Sequence, residues 1–111
     1  MKTQLNKSLI ERFSRQIVLK DIGIIGQKKI ISSKVLVVGA GGLGSPAAEF
    51  LSRAGVGTIG IVDNDKVNLS NLHRQSLYIT PDLGKYKVTI AKQKIKKINP
   101  KIKIKTYRIR L

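Results

Sequence analysis

Lys34-Val35-Leu36-Val37-Val38-Gly39-Ala40-Gly41-Gly42-Leu43-Gly44-Ser45 decides how the rest of the sequence is read. An apolar, β-branched run enters a glycine cluster, and a helical pattern follows over 46–54. The order is strand, tight turn, helix. Gly39, Gly41 and Gly44 fit G-x-G-x-x-G in the setting that gives the spacing meaning. Gly39 permits the sharp turn off the strand. Gly41 has no Cβ, so an anion can lie on its backbone, and Gly44 lets helix and strand pack closely. The free N–H groups of the helix start face that anion, with the positive end of the helix dipole behind them. Ser45 offers a hydroxyl there, and Pro46 suits a first turn, where its missing N–H costs nothing. The stretch predicts a nucleotide-phosphate site. The plainer alternative is a βα turn without a ligand.

Around this stretch the pattern is that of a β-α-β-α-β unit. The helix after the glycines stops at Gly55, a natural residue for a helix end. A second strand covers 58–62 and ends at Asp63, 24 residues after Gly39. An acid at that place accepts hydrogen bonds from ribose hydroxyls in dinucleotide-type units; as part of Asp-Asn-Asp it also reads as a turn residue. Residues 64–83 form a long connection whose Leu69, Leu72, Leu77 and Ile79 argue against disorder. Thr80-Pro81-Asp82 predicts a helix start with Thr80 as N-cap, the helix running to Ile98 and stopped by Asn99-Pro100. Ile102 and Ile104 alternate with lysines as a third strand, with a slip expected near Thr106-Tyr107. Before the first strand, Leu9, Phe13 and Ile17 mark one helical face from Ser8 on. Gly23 and Gly26 are expected to break that segment, leaving a short turn over 27–31. The first strand is apolar on both faces, as an interior strand is. In such a unit its outer neighbour is a fourth strand, which this sequence does not supply, so an open edge is expected.

Composition narrows the function classes. The 111 residues carry 22 Lys and Arg against 6 Asp and Glu, a formal net charge of +16. Such an excess attracts polyanions. The basic residues are nevertheless spread along the chain, and 5% aromatic content leaves few rings for stacking bases. Nucleic-acid binding is therefore expected to be non-specific if it occurs. The absence of cysteine removes disulfides, thiolate metal sites and a cysteine nucleophile, and His73 alone cannot hold a metal. No apolar run approaches membrane-spanning length and no signal-peptide core is present, so no membrane association and a cytoplasmic location are expected, a plastid or other organelle staying open.

The ordered motifs together carry more than the glycine turn. They are Arg12-Phe13-Ser14-Arg15-Gln16-Ile17, Gly39-Ala40-Gly41-Gly42-Leu43-Gly44, Ala54-Gly55-Val56-Gly57 and Asp63-Asn64-Asp65-Lys66-Val67. Further on come Ser70-Asn71-Leu72-His73-Arg74-Gln75, Gly84-Lys85-Tyr86-Lys87 and Ile98-Asn99-Pro100. With them the chain resembles the ThiF/MoeB/HesA family, bacterial relatives of ubiquitin-activating enzymes, most closely in its MoeB-type molybdopterin-synthase adenylyltransferases. The resemblance implies an α/β Rossmann-like, three-layer parallel sheet of which this chain holds the first β-α-β-α-β half. Residues 1–33 would be an N-terminal helical segment and 34–111 the nucleotide-binding domain.

It also implies ATP and Mg²⁺ as cofactors, a ubiquitin-like sulfur carrier of the MoaD or ThiS kind as partner, and a homodimer. The reaction would be adenylation of the carrier's C-terminal Gly-Gly carboxylate, with loss of pyrophosphate. Gly39, Gly41, Gly42 and Gly44 would lie near the phosphates, and Asp63 would hold the ribose. Asp65, Ser70, Asn71, Arg74 and Lys87 would complete the nucleotide site, with Arg74 and Lys87 on the phosphates and Arg15 reaching into the partner subunit's site. Fixed cations aimed at the leaving pyrophosphate lower the barrier to its departure. The family's Mg²⁺ ligand is expected beyond residue 111, so this chain alone is expected to bind ATP weakly and not to turn over. On the residues alone two other readings remain: an NAD(P)-binding module of an oxidoreductase, and a non-catalytic basic binding protein.

Overall fold

Three parallel strands, β1 (Lys34–Val38), β2 (Thr58–Val62) and β3 (Lys103–Tyr107), lie side by side in that order in the computed structural model. The structure describes residues 5–19, 22–41, 44–73, 75 and 77–110. Two crossover helices, α4 (Gly44–Ala54) and α5 (Lys87–Ile98), join the strands, preceded in the chain by α1 (Lys7–Arg12), α2 (Ser14–Ile17) and α3 (Gly23–Ile31). Register follows the hydrophobic pattern. Val35, Ile59 and Ile104 form one row across the sheet, and Val37, Ile61 and Thr106 the next. Side chains alternate along a strand, so both rows share a face. That face packs with Ala48 of α4 and Val88, Ala91 and Ile95 of α5. Ile59, Ile61 and Ile95 are fully buried, each contributing about 2–3 kcal/mol.

The other face carries Leu36, Val38 and Tyr107, and it is open along β1: Leu36 and Val38 are 57% and 61% exposed, while Val62 between Val38 and Tyr107 is buried. β1 pairs only with β2 among the described residues, so this strand lies at the sheet edge: its connectivity predicts that place, whereas its apolar composition reads as that of an interior strand. No helix among the described residues is long and apolar enough to cross a membrane.

The N-terminal helices close the opposite end of α4. Phe13 is buried, and its ring meets Gly55, where an added Cβ would lie 2.8 Å from Cζ. Gly55 N–H donates to Ser52 O and Val56 N–H to Leu51 O, closing the helix as the sequence predicts. Gln16 Nε2 and Gln27 Nε2 both donate to Ala54 O, at 2.9 and 3.1 Å. Arg12 Nη1 donates to Ile98 O at 3.0 Å, tying this layer to α5.

Four expectations about local structure are corrected. The segment from Ser8 is not one helix: it divides at Phe13 into α1 and α2. Gly23, at φ +57°, stands where a separate helix begins, as expected, but Gly26 breaks nothing: α3 runs through it from Gly23 to Ile31. Packing of α3 against α2 outweighs glycine's cost of roughly 1 kcal/mol. The helix expected from Thr80 is a single 3-10 turn (Thr80–Asp82), and α5 begins only at Lys87. Between them Gly84 takes φ +81°, and Tyr86 pairs with Lys66 in an antiparallel bridge, which the isolated stretch cannot reveal. The slip near Thr106-Tyr107 is absent, because pairing continues unbroken to Val62↔Tyr107.

Candidate functional site

The C-terminal ends of the parallel strands bring Gly39, Asp63 and the segment before α5 to one edge of the sheet, where open α/β sheets bind ligands. Gly39 turns the chain with φ +93°, and its N–H donates to Val62 O at 2.7 Å. Ala40 is then pinned from two sides. Its N–H donates to Asp63 Oδ2 at 2.7 Å, and its carbonyl accepts the Tyr78 hydroxyl at 2.6 Å. Burial of Tyr78, followed by the charges of Asp63 and Asp82, pushes the phenol well above its usual range. It therefore stays protonated and remains a donor to Ala40.

Gly44 and Gly41 serve different ends. A Cβ on Gly44 would sit 1.7 Å from Gly39 O, so the first turn of α4 touches the loop's own backbone. A Cβ on Gly41 would meet no backbone. Its nearest neighbours would be Nε2 and Cδ of Gln75 at 3.4 and 3.8 Å and Nζ of Lys87 at 4.0 Å. The space over Gly41 is thus bounded by two nitrogen donors. Both nitrogens are hydrogen-bond donors, the chemistry an oxyanion calls for.

Lys87 opens α5, where its N–H donates to Asp65 O at 3.0 Å. Its side chain is 5% exposed and is the only buried basic side chain among the described residues. Neither ion pair among the described residues includes it; these are Arg53–Glu49 and Lys94–Asp82. With its stem buried and no carboxylate paired to it among the described residues, the ammonium is placed to receive an anion. The second of those pairs secures the connection. Lys94 Nζ and the Ile79 N–H donate to Asp82 Oδ2 at 2.6 and 2.9 Å. Burial pushes the Asp82 carboxyl up, but the Lys94 hydrogen bond, the Ile79 N–H and the charges of Lys94 and Lys85 outweigh it and hold it below the usual range.

The remaining predicted residues separate. Asp63 is engaged inside the chain, accepting from Ala40 N–H and, at 2.6 Å through Oδ1, from Asp65 N–H. Each oxygen keeps a further lone pair. Asp63, Asn64 and Asp65 line an open cleft of about 310 Å³ with Arg110. Asn71 is buried, and its Oδ1 accepts from Asn68 N–H, while Ser70 is exposed on the same 3-10 turn (Leu69–Asn71). Ser45 is fully buried and its Oγ accepts from Leu77 N–H, so that hydroxyl anchors the connection instead of facing the space over Gly41. Gly42 and Arg74 lie outside the described residues. Arg15 is not brought to the loop. It is exposed on α2, beside Gln16, which binds Ala54 at the far end of α4. Eleven helical residues place that end roughly 16 Å from Gly44. Gln75 and Tyr78 received no role from the sequence. Only the position of Gln75 directly after Arg74 in a quoted motif could have drawn attention to it.

Comparison with known proteins agrees with this architecture. The model of the ThiF family matches residues 13–111. The adenylyltransferase and sulfurtransferase UBA4 of Candida glabrata is 50% identical over 109 residues, which are 97% of this chain and 25% of that protein. A sulfur carrier protein adenylyltransferase of Thermus thermophilus is 43% identical over 105 residues, 95% of this chain and 39% of that protein. Among solved structures, the E. coli tRNA N6-threonylcarbamoyladenosine dehydratase TcdA in complex with ATP superposes with TM-score 0.89 at 29% identity. That match covers 96% of this chain and 43% of that one. The chain therefore spans a quarter to two-fifths of the length of these curated relatives.

Proposed function

Because this chain belongs to the ThiF family, we propose that it is the ATP-binding portion of an adenylyltransferase for a ubiquitin-like sulfur carrier. The observation that carries the reading is Lys87: a lysine with a buried stem, paired with no carboxylate among the described residues, whose Nζ lies 4.0 Å from the Cβ position of Gly41 in the glycine loop. The relatives are named for adenylyl transfer, and TcdA is a relative whose structure holds ATP. The reaction so assigned joins a carboxylate oxygen of the carrier to the α-phosphorus and breaks the bond to the β-phosphate, so pyrophosphate leaves. Lys87 holds charge against the phosphates, Gly41 lets them approach the backbone, and Asp63 offers its remaining lone pairs to ribose hydroxyls. Among the described residues no group of three or more His, Cys, Asp or Glu is placed to hold a metal ion. Arg15 is read as acting on the partner subunit of a homodimer. Its exposure, far from its own subunit's glycine loop, supports that assignment.

The decisive experiment is calorimetric titration of the chain with ATP and with NAD. Tighter binding of ATP is expected. Equal or tighter binding of NAD would replace this reading with that of an oxidoreductase module. Gly41→Ala fits the fold, since its new carbon meets only ordinary contacts, and it should weaken ATP binding about tenfold or more.

A further inference from the structure

Gln75 is 2% exposed, as buried as the core. Yet its Oε1 is the one buried side-chain nitrogen or oxygen among the described residues that lacks a hydrogen-bond partner. The backbone around it is fixed: Gln75 N–H donates to Asn71 O at 2.9 Å, and Tyr78 N–H to Gln75 O at 3.1 Å. The side chain is thus delivered to the glycine loop by an ordered turn, with Nε2 only 3.4 Å from the Cβ position of Gly41. A buried amide with an unmade bond is a group awaiting a partner.

We propose that Gln75 is a phosphate-binding residue of this site, acting as a pair with Lys87; the assignment rests on reading the site as one for ATP. A phosphate oxygen at neutral pH only accepts hydrogen bonds, so it takes the Nε2 donor. Oε1 cannot face the anion. Unpartnered in the unliganded chain, it is left to accept from the ammonium of Lys87 once the anion draws that group in; Nζ lies 4.0 Å from the Cβ position of Gly41 that Nε2 also borders. One amide therefore contributes a donor to the phosphate and orients the neighbouring cation. Leucine would supply neither function. Glutamate would pair with Lys87 but repel the phosphate.

The test uses the whole chain and its Gln75→Leu, Gln75→Glu and Lys87→Met variants, titrated with ATP and with adenosine. Gln75→Leu should weaken ATP binding about ten- to hundredfold and leave adenosine binding unchanged. Gln75→Glu should weaken ATP binding further. The unliganded Gln75→Leu chain should melt no lower than the parent, because it loses an unpartnered group. If Lys87→Met weakens ATP binding while Gln75→Leu does not, the inference is overturned and the ATP reading stands. Equal losses of ATP and adenosine in Gln75→Leu would make the residue structural, which also overturns the inference. A parent chain that binds ATP no better than adenosine would remove the phosphate site and the inference together.

Discussion

Gln27 and Gln75 are both buried, at 0% and 2% exposure, and stand at opposite ends of α4. At the Ala54 end, Gln27 uses both halves of its amide: Oε1 accepts from Gln16 at 2.7 Å and Nε2 donates to Ala54 O at 3.1 Å. At the Gly44 end, the Oε1 of Gln75 accepts nothing. Two side chains of one chemistry, equally removed from water, thus differ in whether the chain itself completes them. The N-terminal layer is a closed polar network that holds a helix terminus, while the glycine-loop end leaves one buried acceptor unanswered among the described residues. Structural polar groups are satisfied internally; a binding site is where satisfaction is left to a ligand.

The contrast breaks most severely at Gly44. Gly44→Ala would drive a carbon into the Gly39 carbonyl at 1.7 Å, where only backbone can yield. Loss of about 4 kcal/mol or more, or no folded chain at all, is expected by chemical denaturation. Gly41→Ala, three residues earlier, should unfold at the parent's midpoint. At the closed end, Gln27→Leu removes two hydrogen bonds and should cost about 1–3 kcal/mol in urea while leaving ATP affinity within error of the parent.

Acid should affect the glycine-loop end through Asp82. Its folded value lies below the usual aspartate value of about 3.9, so its contribution is complete above that pH and is lost as pH falls through the folded value. Lys94→Met removes the strongest of the influences that lower it. Unfolding followed by circular dichroism should then begin at a higher pH than in the parent, and an unmoved acid transition would show that the pair contributes nothing to stability. Smaller still is Tyr78→Phe, which frees the Ala40 carbonyl and should cost about 1 kcal/mol. Because Asp63 still holds the Ala40 N–H, the loop should keep its place, with ATP affinity falling less than in Lys87→Met.

The sheet was legible because its signals are local and redundant. The three strands and the end of α4 at Gly55 follow from apolar runs bounded by glycine or asparagine-proline. The region between β2 and α5 was not. Thr80-Pro81-Asp82 has a genuine helix-start pattern, but Asp82 turns back to the Ile79 N–H and to Lys94, twelve residues on, and the segment closes as one turn. The glycine loop could be read from spacing alone. Lys87 could not, since in a helix of many lysines its composition points to solvent, and only the family pattern singled it out.

The order of apolar runs and glycines by itself determined a parallel β-α-β-α-β unit with a phosphate-type turn after its first strand, because period and turn chemistry act over neighbouring residues. Only the tertiary structure decided which polar groups are buried and which of those go unanswered. Burial is a property of what lies across the fold: Gln75 and Lys87 come to Gly41 from 34 and 46 residues further along the chain. No local pattern encodes that meeting, and the free energy of a buried donor or acceptor depends on it.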